Sequence, residues 1–205
     1  RDPEMSRGLG DVYKRQVKTL VVQPTHLMNG LEYNDLKDEL AGYSDSFEKI
    51  VLGDPLLTSD DDFQKVMNAI VDATKEYDDG ETAICFMGHG TEAESNQVYT
   101  KMQETLKAAG YDNYFVGTVE ATPSLDDVIA AVKASGYKKV VLRPLMIVAG
   151  DHANNDMAGD EDGSWKTEFE KAGFEVTTVV EGLGSVQAIQ DLFVAHAQAA
   201  IDSLK

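Results

Sequence analysis

TAICFMGHGT, Thr82 to Thr91, is an apolar strand-like run that breaks into a turn holding a histidine between two glycines. Outward from it in both directions the same alternation recurs. Apolar runs are followed by amphipathic helical stretches, the pattern of a parallel sheet covered by helices. Strands are expected at Val17–Gln23, Lys49–Leu52, Thr82–Met87, Tyr114–Val119, Lys138–Pro144 and Glu175–Val180. Helices are expected at Asn34–Ala41, Asp60–Glu76, Glu94–Ala109, Leu125–Ser135, Ser164–Ala172 and Val186–Ser203. Gly110, Gly136 and Gly173 each follow a helical run, where a left-handed cap is wanted. Ser59 ahead of Asp60–Asp62, and Ser124 ahead of Leu125, Asp126 and Asp127, read as amino-terminal caps.

A chain of 205 residues with ordinary apolar content holds one large domain or two small ones. The acidic stretch Tyr77–Glu81, with Gly80, is the expected linker. Residues 17–79 then carry two strands, too few for an independent doubly wound sheet, and read as the second half of a first lobe. Residues 80–205 carry four strands and a final helix. There is no short tandem repeat or low-complexity segment, although two βα-type halves would form a loose duplication. Residues 1–16 have no helical or strand period, and their GLGDVYKRQ string resembles adapter-derived translation. They are read as a non-native leader, so any native targeting signal would be missing with the native start.

Acidic residues outnumber basic ones 36 to 18, a formal charge of -18, which disfavours nucleic acid and anionic membrane as partners. The same field draws in cations yet repels a polycarboxylate substrate, so charge does not choose between them. Cys85, the single cysteine, lies inside an apolar run and reads as a buried structural thiol. No apolar run reaches the roughly eighteen residues of a membrane span, and no signal-peptide pattern opens the chain. A cytoplasmic location is expected, and a homo-oligomer stays open.

In an open parallel sheet, ligands bind beyond the carboxyl ends of the strands. His89 follows the third expected strand, Glu120 the fourth, and His152 lies beyond the fifth. The spacings, each about one βα repeat, bring all three to one rim. Two imidazoles and a carboxylate suit cobalt, nickel, iron or zinc as divalent ions, with positions left open for a substrate atom. Taken singly, His89 also reads as a turn residue, Glu120 as a solvated strand end, and His152 as part of a polar loop. His26, a weaker candidate, also follows a strand and would face the same cleft from the other half. His196, on an amphipathic helix, reads as structural or exposed. The oxygen-rich Asp151–Asp162 does not fit a calcium loop, because Trp165 falls where a bidentate glutamate is needed.

MGHGT at Met87–Thr91, GTVE at Gly117–Glu120, PLMIVAGDHANNDMAG at Pro144–Gly159 and QPTHLMNGLEY at Gln23–Tyr33 together resemble the anaerobic sirohydrochlorin cobaltochelatases of cobalamin biosynthesis. The resemblance runs from about Val17 to the carboxyl terminus. It implies a class II chelatase α/β fold, with two Rossmann-like parallel-sheet lobes, the first incomplete here, and a tetrapyrrole in the cleft between them. It also implies that His89 is the proton acceptor and a cobalt ligand, and that Glu120 and His152 complete the metal site. Co2+ is then a substrate, and His89 and His152 carry the chemistry. No nucleotide is expected, since insertion is downhill and no GxxxxGK[ST] loop occurs.

Two rival readings stand beside this one. A non-catalytic metal or haem carrier would use the same histidines without turnover. A histidine phosphatase also places a histidine after a strand, but it needs several cations for phosphate, and beyond residue 16 the only arginine is Arg143.

Overall fold

A computed structural model describes residues 17–205; the proposed leader, 1–16, lies outside the described residues. Two parallel sheets organise them. The smaller pairs β1 (Thr19–Val22) with β2 (Lys49–Leu52), joined through α1 (Leu31–Ala41). The larger has four strands in the order β4, β3, β5, β6, with β3 at Thr82–Gly88, β4 at Tyr114–Thr118, β5 at Lys139–Pro144 and β6 at Glu175–Thr178.

Every residue of β3 is buried because helices cover both faces of its sheet. Ile84 and Phe86 point to one face, where they pack with α2 (Asp60–Asp72), α3 (Gln97–Ala108) and α6 (Gln187–Asp202). Ala83, Cys85 and Met87 point to the other, against α4 (Leu125–Ser135) and α5 (Trp165–Lys171). Thus α2 lies in the core of the larger sheet, although it precedes the Tyr77–Glu81 stretch. The outer edge of β4 is closed by one side chain. Gln103 accepts from Val116 N at 2.8 Å and donates to Tyr114 O at 2.9 Å, which occupies groups that an exposed edge would offer to another strand.

The expected caps form. Ser59 and Asp62 make a reciprocal capping box at α2, and Ser124 and Asp127 another at α4. Gly110, Gly136 and Gly173 all have positive φ. Some bounds move. β1 and β6 are shorter than expected, and α1 starts three residues earlier, after Gly30, where no side chain caps it. α2 ends at Asp72, short of Glu76; beyond it Thr74 Oγ1 donates to Ile70 O at 2.7 Å and pairs with the Tyr114 hydroxyl at 3.0 Å. The loop after β5 contains a helical turn with π-type spacing at Ala153–Met157.

The exits from β1 and β5 repeat one hydrogen-bond scheme at a constant offset. Gly30 O accepts from Asn34 N at 3.1 Å and Nδ2 at 2.8 Å; Gly150 O accepts from Asn154 N at 3.1 Å and Nδ2 at 2.7 Å. Likewise His26 O and Leu27 O accept from Leu56 N and Leu57 N, as Met146 O and Ile147 O accept from Leu183 N and Gly184 N. The loose duplication expected from the βα halves is therefore visible in the backbone. Lys49 Nζ donates to Leu204 O at 2.9 Å, so the carboxyl-terminal residues after α6 reach the smaller sheet. Among the described residues no helix is long and apolar enough to cross a membrane.

Candidate metal centre

The order of the larger sheet reverses between β3 and β5, and in such sheets the crevice opens at that switch point. His89 leaves β3 there, and His152 stands beyond the end of β5. Their rings meet edge to face, with centroids 4.6 Å apart and planes at 81°. Glu120 is set beside them because the β3–β4 ladder continues past the strands: Val119 N donates to Gly88 O and Glu120 N to His89 O, at 3.0 and 2.9 Å. Glu120 Oε1 lies 3.9 Å from His89 Nε2. Two ligand bonds of about 2.1 Å span up to about 4.2 Å, so one ion fits between them. One ligand atom from each of His89, Glu120 and His152 lies within 4.8 Å of the others.

Neighbouring oxygens set the imidazole tautomers. His89 Nδ1 lies 2.8 Å from Gly90 O, and a carbonyl can only accept, so Nδ1 carries the proton and the Nε2 lone pair is free. His152 Nδ1 donates to Asp156 Oδ2 at 2.6 Å, which likewise turns Nε2 outward. Both glycines around His89 are sterically required. A Cβ on Gly88 would meet the Tyr99 ring at 2.0 Å, and one on Gly90, at φ +87°, would stand 2.9 Å from Ala121 N. Tyr99 OH accepts from Gly90 N at 3.3 Å; burial, partly offset by bonds to Gly90 and His89, raises its pKa. Asn96 ties the turn to its neighbour, accepting from Thr91 N at 3.1 Å and donating to Thr122 O at 2.7 Å.

His89 and Glu120 open into a cleft of about 490 Å³, within the range of small-molecule sites. His152 joins them through its contact with His89. The other wall comes from the smaller sheet and includes His26 and Glu32. Glu32 escaped the sequence reading; the duplication would have found it, since it holds the place in NGLE that His152 holds in AGDH. Asp156 escaped too, although an acid one helical turn beyond a histidine is a readable spacing.

The remaining candidates lie elsewhere. His196 is structural: Nε2 donates to Asp62 Oδ1 at 2.9 Å and Nδ1 lies 3.1 Å from Asp54 O. Cys85 is fully buried, and burial raises its thiol pKa far above the usual range. Arg143 is buried; it donates to Ala73 O at 2.9 Å and pairs with Glu181. Among the described residues lining the cleft there is no Lys or Arg, the side chains a phosphoryl-transfer pocket relies on.

Comparison with known proteins shows the family. Residues 4–202 match the family described as Cobalt chelatase (CbiK). The sirohydrochlorin cobaltochelatase of Salmonella typhimurium is 36% identical over 183 residues, 89% of this chain and 69% of that protein. The sirohydrochlorin cobaltochelatase CbiKC of Nitratidesulfovibrio vulgaris is 29% identical over 200 residues, 97% of this chain and 71% of that protein. Among solved structures, SirB from Bacillus subtilis with Fe3+ superposes with a TM-score of 0.68 at 14% identity, covering 99% of this chain and 80% of that one. The sirohydrochlorin chelatase SirB from Bacillus subtilis subspecies spizizenii, in complex with cobalt, gives 0.59 at 12% identity, over 98% and 76%. At such identities the structural likeness speaks for the class II chelatase fold alone, whereas the match along nearly the whole sequence speaks for descent. This chain belongs to the CbiK cobalt chelatase family.

Proposed function

We propose that this chain is an ATP-independent sirohydrochlorin cobaltochelatase that inserts Co2+ into sirohydrochlorin on the anaerobic route to cobalamin, with His89, Glu120 and His152 as its working residues. The observation that carries the reading is the meeting of these three side chains, each from a different strand end of one sheet, beside a cleft in a chain of this family. The proposal includes a cytoplasmic location, as read from the sequence.

The chemistry follows from charge. A flat tetrapyrrole holds its two pyrrolic N–H protons tightly, and bending the ring tips nitrogen lone pairs toward an incoming ion. His89 and His152 offer neutral Nε2 lone pairs, and Glu120 a carboxylate, a set that holds a borderline divalent ion without enclosing it. Too many ligands would trap the ion. As it moves to the ring nitrogens, the lone pair freed on His89 Nε2 takes up one pyrrolic proton. The acidic cleft concentrates the cation at the point of transfer.

The test is the absorbance change of sirohydrochlorin when Co2+ is added with protein at catalytic concentration. His89→Ala and His152→Ala are each expected to lower the initial rate by at least about tenfold. Near-native turnover in either variant removes its assigned role. A change that stops at one equivalent of protein favours the non-catalytic carrier.

A further inference from the structure

Three of the four histidines have ring nitrogens engaged by the protein: His89 by Gly90, His152 by Asp156, and His196 by Asp62 and Asp54. His26 is different. Its Nδ1 is buried and has no hydrogen-bond partner among the described residues. Leaving a buried polar nitrogen unpaired costs about 1–3 kcal/mol, so packing alone is a poor reason to keep it. His26 is nonetheless well placed. Its carbonyl is held by Leu56 N at 3.0 Å, its ring stands edge-on to Tyr33 at 6.4 Å, and its side chain lines the cleft that His89 lines. In the duplicated scheme position 26 corresponds to Met146, which lines the same cleft, so one half of the repeat carries an imidazole where the other is apolar.

Tetrapyrrole metallation exchanges one divalent ion for two N–H protons, with no change in electron count. His89 accounts for one proton. An acceptor for the other on the same wall would compete with the ion for one face of the ring. Moreover, once the ring is bent, one N–H-bearing pyrrole can point its proton to the face opposite the ion, beyond the reach of His89. His26 comes from the smaller sheet, whereas His89, Glu120 and His152 come from the larger. Glu32, Glu92 and Glu120 line the cleft and repel the carboxylates of the macrocycle, so the part of the substrate that enters is its N–H-bearing core.

We infer that His26 is a catalytic residue that accepts the second pyrrolic proton on the face turned away from the metal, a step that rests on the proposed chelatase function. The N–H bond breaks, its electron pair stays on nitrogen to bind the ion, and the proton passes to Nε2 of His26, the ring nitrogen that is not enclosed, and then to water. Tyr33 abuts the ring, and Glu32, His89, Glu92, Tyr99 and Glu120 are the other titratable groups on the cleft.

The experiment compares wild type, His26→Ala and His26→Asn in steady-state cobalt insertion into sirohydrochlorin, with fold checked by circular dichroism and tetrapyrrole binding by fluorescence quenching. Asn keeps a hydrogen-bonding group near the position of Nδ1 but accepts no proton. Both variants are expected to lower kcat by at least about tenfold, with KM and tetrapyrrole Kd within about threefold of wild type. A folded Ala variant that keeps wild-type kcat, or restoration of kcat by Asn, overturns the assignment. So does failure of both variants to fold, which would make His26 structural. A wild-type chain that metallates no tetrapyrrole overturns the function itself, a result distinct from unchanged turnover in the variants.

Discussion

Asp156 accepts a hydrogen bond from His152 Nδ1 at 2.6 Å, across one turn of the short helix that follows β5. In the proposed metal site this bond would present His152 Nε2 to the ion and make the ring a stronger donor. Asp156→Ala should therefore weaken Co2+ binding by about ten- to a hundredfold while leaving the fold intact. Titration calorimetry with Co2+, beside a thermal melt, measures both. An unchanged affinity would show that the ring is oriented by packing alone.

Much of this arrangement can be read from residue order, for reasons tied to particular positions. Ala83–Met87 is apolar throughout because helices cover both faces of its sheet, and Ser59 and Ser124 signal helix starts because their capping boxes are local. His89, Glu120 and His152 were legible because parallel topology sends every strand end to one rim. What stayed hidden depends on tertiary contacts. The start of α1 has no capping side chain, only Gly30. The turn at Ala153–Met157 occurs in a segment whose Asp, Asn and Gly content reads as loop. The packing of α2 on the larger sheet follows from the partners of Phe63, Val66 and Ile70, which periodicity alone does not name.

The turn carrying His89 should be intolerant of any side chain at Gly90. Its φ of +87° is strained for alanine, and the new Cβ would crowd Ala121 N and Thr118 Cβ, both at 2.9 Å. Gly90→Ala should cost about 1–3 kcal/mol and lower Tm by several degrees. Cobalt insertion should fall by more than the lost folded fraction explains, because the same shift displaces His89 from Glu120. Rates measured well below Tm separate the two effects.

Cys85 should be inert in the native protein. It is fully buried, and burial raises its thiol pKa, so the reactive thiolate is scarce and shielded. Native protein at pH 8 should react with a thiol-specific chromogenic disulfide on the order of a hundredfold more slowly than protein in urea. Iodoacetamide should leave cobalt insertion unchanged. Rapid native labelling would mean that β3 opens far more readily than its packing suggests.

Asp62 joins α2 to α6, and its charge state makes that junction sensitive to acid. Burial opposes its ionisation, but bonds from Ser59 N and Oγ, together with His196, outweigh burial and hold its pKa below the ordinary carboxylate value. A carboxyl group depressed on folding stabilises the native state above its unfolded pKa, and that contribution disappears as pH falls through the lower folded value. Asp62→Asn should therefore destabilise the protein by about 2 kcal/mol at pH 7, from loss of the charge on the bonds to Ser59 and His196. The gap between wild type and variant in urea-unfolding free energy should close below about pH 4. A gap that persists unchanged into acid would show that the carboxylate charge contributes nothing, and that shape at position 62 is what α2 and α6 require.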